Sequence, residues 1–311
     1  MKINDAHAHV GIDYFYYKIK KDNEFNFPLE KLFKLMKENK VDKSIVSWCP
    51  SVKEITCCSP TDLFLEKNKI ISKCPSCGKV VAELTHDPYR KYNIQLAEEI
   101  KNQGLTEKII PFFVIHLQNP FLKEEIKFYL KNYKKFGLKF HTLTSKRSIL
   151  TIQNELTRLK LPILVHTGTE EFTSPANLIE FAKNYSGNVL MAHAARLSSN
   201  YLVEINSIDN LFVDITPLTS FYRRIKTKDF STILEDKKSF ENINSPEDIY
   251  YFLLKHVNYK KLLFGTDVPW CNKFGSGYPS EVNILKNLKI DQVKKEFIAN
   301  KNFEKFLEMV L

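Results

Sequence analysis

LPILVHTGTEEFTSPANLIEFAKNYSGNVLMAHAAR, residues 161–196, holds two apolar runs on either side of a helical pattern. The run LPILVHTG (161–168) has the length of a buried strand and carries His166 at its carboxyl end. A helix is expected over 175–184, and NVLMAHAAR (188–196) repeats the strand pattern and carries His193. Two buried strands separated by a helix pair in parallel, because each return to the sheet needs a crossover.

The same rhythm continues outward. Upstream, KIIPFFVIH (108–116) and FGLKFH (136–141) read as strands, followed by helices at 121–134 and 147–159. Downstream, NLFVDIT (210–216) and KLLFGTD (261–267) read as strands, with helices near 199–206, 246–257 and on to Leu311. Near the start, Lys2–Ala6 leads into His7 and His9, Phe27–Lys40 is an amphipathic helix, and KSIVSWC (43–49) is a strand. A helix is expected over 94–102, and residues 50–88 between strand and helix read as irregular. Eight strands alternating with helices predict an α/β fold, a closed (β/α)8 TIM barrel with a cysteine-containing insertion after strand 2. No glycine-rich dinucleotide fingerprint follows the first strand, which counts against the doubly wound alternative. The 311 residues suit one barrel domain over 1–311, with 50–88 as the insertion.

Composition narrows the class. Apolar residues make up 43%, enough for a large core, and no apolar run reaches membrane-spanning length. The histidine pair at residue 7 leaves no room for a signal peptide, so a cytoplasmic location is expected. The net charge of +10 comes from scattered lysines rather than one basic stripe, which disfavours a nucleic-acid partner and leaves room for an anionic small-molecule substrate. Self-association is left open.

Of the eight histidines, six (His7, His9, His116, His141, His166 and His193) sit at the carboxyl ends of expected strands. In a parallel barrel all those ends meet at one face, where the chemistry of such folds is done. His7 and His9 stand two apart on a strand, so both side chains face the same way and can chelate one divalent ion.

DAHAHVG, GLKFH, ILVHTG, LMAHAAR and LLFGTDVPW occur in order over nearly the whole chain. Together these segments resemble the amidohydrolase superfamily, and within it the second amidohydrolase-like family of hydrolases and nonoxidative decarboxylases. The resemblance implies His7, His9, His166 and Asp267 as metal ligands, with Asp267 and His193 as catalytic groups. It implies one divalent ion, with zinc suited to three imidazoles and a carboxylate, and leaves a second ion open. In that role Asp267 takes a proton from the attacking water and returns it to the leaving group, while His193 orients or polarises a carbonyl. Lys139 is ambiguous: some relatives carry a carbamylated lysine bridging two metals at this strand, and the alternatives are an ion pair or a substrate contact. His141, His116 and Arg196 are further candidates for a second metal or for substrate, Arg196 as a clamp for an anion.

The reaction implied is hydrolysis of an amide, lactone or ester-like bond. The alternative is nonoxidative decarboxylation of a small carboxylic acid on the same site; a non-catalytic zinc-containing binding protein is a third reading. The stretch after strand 7, with Tyr222, Arg223 and Arg224, is the expected substrate wall, and Trp270 is expected near the same mouth.

Five of the six cysteines lie between residues 49 and 77. CPSCGK (74–79) has the form of one zinc knuckle, and Cys57 and Cys58 lie at a suitable distance for the second half. Because those two are adjacent, they do not match the usual knuckle. Cys57, Cys58, Cys74 and Cys77 are therefore candidates for a structural zinc site, with Cys49 and His86 as alternative ligands. Such a site would staple the insertion, which would close over the barrel mouth or mediate subunit contact.

Overall fold

The two strands of the 161–196 unit are β5 (Ile163–Val165) and β6 (Val189–Met191), and they pair in parallel in the computed structural model, which describes residues 1–308. Ser174 starts the helix between them by accepting from Ala176 N–H, with Pro175 in the first turn, where a missing N–H costs nothing. That helix, Pro175–Lys183, buries Leu178, Ile179, Phe181 and Ala182 against the sheet.

The neighbours follow the same plan. Before this unit come β1 (Asn4–Ile12), β2 (Lys43–Trp48), β3 (Ile109–Ile115) and β4 (Gly137–Phe140). After it come β7 (Leu211–Asp214) and β8 (Leu262–Leu263). Each is parallel to the next. The short strand Asn26–Phe27 adds to β1 in antiparallel sense. The sheet curls until the chain beyond β8 meets β1: Ala6 N–H donates to Phe264 at 2.9 Å and His9 N–H to Val268 at 2.8 Å. The result is a mixed α/β fold built on a curled parallel sheet of the TIM-barrel kind.

Inside the curl, Ala6, Ile45, Phe112, Leu164, Leu190 and Phe212 pack together, and Phe303, Phe306 and Leu307 of the closing helix plug the amino-terminal end. With that end filled by side chains, the open face is the carboxyl one. Five of the six strand-end histidines, all but His116, converge there. No helix among the described residues is long and apolar enough to cross a membrane.

Three expectations need correction. Residues 50–88 are not irregular: Asp62–Glu66, Lys69–Lys73 and Val80–Leu84 form an antiparallel sheet of their own. The helix expected over 147–159 is broken into a 3-10 turn, Ile149–Ile152, and a short helix, Gln153–Leu156. The last barrel strand, Leu262–Leu263, is shorter than 261–267, and the chain beyond it meets β1 only through single contacts such as the Ala8–Val268 bridge. Of the helices running to Leu311, residues 309–311 lie outside the described residues.

Candidate metal centre at the barrel mouth

His7 and His9 both turn into the barrel mouth, with their Nε2 atoms 3.0 Å apart. Asp267 Oδ1 lies 3.6 Å from the first and 3.5 Å from the second. The other ring nitrogens fix the tautomers. His7 Nδ1 donates to Asp214 Oδ2 at 2.8 Å. His9 Nδ1 lies 3.4 Å from the Trp48 carbonyl and 3.0 Å from Ser47 Oγ, so it carries the proton. Both Nε2 atoms then turn lone pairs towards each other, a repulsive arrangement that a nearby cation relieves. Donors about 2.0–2.1 Å from a tetrahedral zinc stand about 3.3 Å apart, close to the spacing of these three atoms. The donor set therefore fits a divalent ion.

Lys139 on β4 reaches the same cluster, with Nζ 3.0 Å from His7 Nε2. Burial is the main cause that brings its ammonium down to about 8, against the opposing pull of Asp214 and Asp267. Burial, reinforced by Lys139, holds His7 down at about 4. Lys139 donates to the His7 lone pair and so competes with a metal for it, most strongly while it is protonated, and its lowered pKa eases that competition.

His166 departs from its expected place. Among the described residues, His7, His9 and Asp267 form one group able to hold an ion and His7, His193 and Asp214 another, and His166 belongs to neither. Its Nδ1 is turned instead to His193 Nε2 at 3.0 Å. His193 Nδ1 donates to the Thr216 carbonyl at 3.1 Å, so only Nε2 is offered to the mouth. His166 and His193 thus make a second nitrogen pair beside the first cluster. His141 stacks on His166 with ring centroids 4.2 Å apart and caps the turn Thr142–Ser145 by accepting from Thr144 N–H.

His116 does not line the mouth. It is fully buried behind it, accepting from Gln118 N–H, and burial lowers it to about 3. Its backbone N–H donates to Asp87 Oδ2 at 3.0 Å.

His193 begins a run of five non-glycine residues in left-handed conformation, ending at Leu197. Each such residue costs about 1–2 kcal/mol relative to right-handed backbone, so tertiary contacts must hold the turn. The turn carries Arg196 back over the mouth. Arg196 Nε donates to the Thr167 carbonyl at 2.7 Å, and its guanidinium reaches within 3.5 Å of His166 Nε2. It makes no ion pair among the described residues, and burial lowers it to about 10.

A cavity of about 450 Å³ opens above these groups. His9, His141, His166, His193 and Asp267 lie on its floor, and Phe15, Tyr16, Phe221, Trp270 and Phe274 form an aromatic wall. Arg196 and Arg224 supply its cations. Of the three residues expected after strand 7, only Arg224 reaches the cavity. Tyr222 faces the Asn244 carbonyl at 2.7 Å and Arg223 points to solvent, because they occupy other faces of the helix Leu218–Thr227.

Two buried carboxylates that sequence reasoning does not single out complete the site. Asp214, at the end of β7, orients His7 and also accepts from the backbone of His193 at 2.8 Å. Asp5 accepts from His7 N–H and from Thr266 N–H and Oγ1, stitching β1 to the segment after β8. Both stand on strands facing the histidines, and that shared position is the available signal.

The fold is shared with solved structures. The 2,6-dihydroxybenzoate decarboxylase of Rhizobium matches with a TM-score of 0.64 at 10% identity, over 99% of each chain. The 5-carboxyvanillate decarboxylase of Sphingomonas paucimobilis matches with a TM-score of 0.62 at 10% identity, also over 99% of each chain. An amidohydrolase of Burkholderia multivorans, with bound zinc, matches with a TM-score of 0.61 at 12% identity over 99% of each chain. At these identities the likeness is one of fold. No protein-family model and no curated protein matches the chain by sequence.

Proposed function

We propose that the chain is a metal-dependent hydrolase of the amidohydrolase superfamily, acting on an amide, lactone or ester-like bond. The observation that carries this reading is the approach of His7 Nε2 and His9 Nε2 to 3.0 Å, with Asp267 Oδ1 at 3.5–3.6 Å, beneath a cavity that His9 and Asp267 line. His7, His9 and Asp267 would hold the ion, which we take to be zinc from the nitrogen-rich donors. The zinc-bearing amidohydrolase of the same fold supports that choice. Such an ion supplies Lewis acidity, bringing the pKa of a water molecule from about 15.7 towards 7.

The protein's own groups divide the remaining work. Asp267 Oδ2, the oxygen facing His193 at 3.9 Å, is free to take the proton of the attacking water and hand it to the leaving group. His193 keeps Nδ1–H on Thr216 and presents Nε2 to the substrate side, paired with His166. A second ion would bind at His193, which also lies in a group with His7 and Asp214. Arg196 and Arg224 hold an anionic part of the substrate, and the aromatic wall excludes water from the rest.

Those arginines beside aromatic rings also favour a second reading, decarboxylation of a small aromatic acid, and two proteins of the same fold are decarboxylases. There the bond from ring carbon to carboxyl breaks, carbon dioxide leaves, and His193 or Asp267 delivers a proton to the carbon.

The test joins metal content to turnover. Elemental analysis of the wild type and of a His7→Ala/His9→Ala variant should differ by one equivalent, with turnover lost on a panel of lactones, amides, esters and aromatic acids. Carbon dioxide release on the acids alone would select the second reading. A double variant that keeps every equivalent of metal would refute both.

A further inference from the structure

The cysteine-bearing segment lies apart from the barrel-mouth cluster. We propose that Cys57, Cys58, Cys74 and Cys77 bind one structural zinc ion, and that this ion anchors the stretch of chain forming one wall of the cavity.

The four sulfur atoms all lie within 4.8 Å of one another. Cys57 Sγ is 3.6 Å from Cys77 Sγ, and Cys58 Sγ is 3.5 Å from Cys74 Sγ. A disulfide needs about 2.05 Å, so neither pair is bonded. Four thiolates about 2.3 Å from a tetrahedral zinc would stand about 3.8 Å apart, near the spacing seen. Cys49 is buried beside the Gly11 carbonyl and His86 faces the Asp87 carbonyl, so neither belongs to the cluster.

Two tight turns bring the thiols together. In the first, Cys57 N–H donates to the Ser59 carbonyl at 3.1 Å, and Thr56 pairs with Pro60 across the loop. This reversal answers the objection that adjacent cysteines cannot share a site: each reaches a different partner on the opposite turn. In the second, Gly78 N–H donates to the Cys74 carbonyl and Cys74 N–H to the Lys79 carbonyl, both at 2.9 Å. Gly78 sits at φ 74°, a conformation that favours glycine. Ser59 Oγ lies 3.4 Å from Cys74 Sγ, placed to donate to a thiolate.

The little sheet has scant core of its own. Leu63, Ile70 and Ile71 are buried, whereas Phe64, Leu65 and Val80 are exposed. A unit this small gains much of its stability from a metal where one is bound.

The consequence for the cavity rests on the reading of the barrel mouth as the active site; the zinc site itself does not. Thr56 and Pro60 flank the first cysteine turn, and both line the cavity, together with Pro50, Ser51 and Ile55. Loss of the ion would free this wall.

The test uses the full chain with the barrel cluster disabled. The His7→Ala/His9→Ala protein should retain one zinc per chain, and adding Cys74→Ser/Cys77→Ser should remove it. Zinc absent from the first protein, or retained by the second, would overturn the proposal. Cobalt loading of the first protein guards against misfolding of the second: thiolate-to-cobalt charge-transfer bands are expected, and their absence would overturn the site. For the anchoring role, stripping the cysteine-bound ion with a mercurial should speed amide hydrogen exchange over residues 50–61 at least tenfold. Unchanged exchange would overturn that part. If the wild type and the His7→Ala/His9→Ala protein hold equal zinc, all of it lost on mutating the cysteines, the barrel reading fails while this one stands.

Discussion

Asp214→Asn is the substitution whose outcome follows most directly from hydrogen-bond geometry. Asp214 Oδ2 receives the His7 Nδ1 proton at 2.8 Å. Its Oδ1 accepts from His193 N–H at 2.8 Å, Thr216 N–H at 3.1 Å and Thr216 Oγ1 at 2.8 Å. Asparagine keeps one oxygen and replaces the other with a donor. Placing the oxygen towards three donors saves two more hydrogen bonds than placing it towards His7, worth about 2 kcal/mol at about 1 kcal/mol each. The amide NH2 then faces His7 Nδ1, and the imidazole must carry its proton on Nε2 instead. That nitrogen, 3.0 Å from His9 Nε2, can no longer ligate. Restoring the binding tautomer costs the same 2 kcal/mol, a loss of about 30-fold in metal affinity. This sits within the range of about 10–100-fold seen when partners of ligating histidines are removed. Competition against a chromophoric chelator measures the affinity, and long-range 15N NMR of the metal-free protein reads the tautomer. An Asp214→Asn protein that binds zinc within twofold of the wild type, or whose His7 keeps Nδ1–H, would refute the reasoning.

Other expectations are checked more simply. Arg196→Met should raise KM about 10–100-fold for a carboxylate-bearing substrate and leave a neutral analogue nearly unchanged, since a charge-assisted bond is worth about 1.5–3 kcal/mol; equal effects on both substrates would count against the anion role. Burial raises Glu281 from 4.5 to about 7, although it accepts from Thr219 N–H and Oγ1. The folded chain therefore holds a proton that the unfolded chain releases, and stability falls by roughly 3 kcal/mol as pH rises from about 4.5 to about 7. Glu281→Gln should flatten the decline by that amount in denaturant titrations at pH 5 and 8, and parallel profiles would contradict it. Gly137→Ala would drive a Cβ into the Phe112 ring. It should cost about 1–3 kcal/mol by overpacking, and an unchanged denaturation midpoint would show that the ring moves aside freely.

Strand-end histidines are legible in the sequence because an imidazole is conspicuous at the end of an apolar run. His7 and His9 share a face by the two-residue period of a strand, and they meet as that rule requires. His166 is not placed by the same logic. Strand position fixes which end of the barrel a ring occupies, but its rotamer and the Nδ1 contact with His193 decide which cluster it joins. Asp214 escapes a reading of the sequence because a single aspartate after FV reads as a turn cap. Its partners lie on β1 and beyond β6, over two hundred and some twenty residues away. The hairpin Asp62–Lys73 is hidden by its turn, since Lys67 and Asn68 both take left-handed backbone without the glycine that usually announces it. The proximity of Cys57 and Cys58 to the CPSC knuckle depends on that hairpin, so spacing alone does not reveal it.

Anomalous diffraction at the zinc edge, from crystals grown with excess zinc, addresses the shared cation directly. A peak about 2.0–2.1 Å from both His7 Nε2 and His9 Nε2, with Asp267 in contact, is the result expected. Ordered side chains at the barrel mouth with no peak between those nitrogens would contradict it.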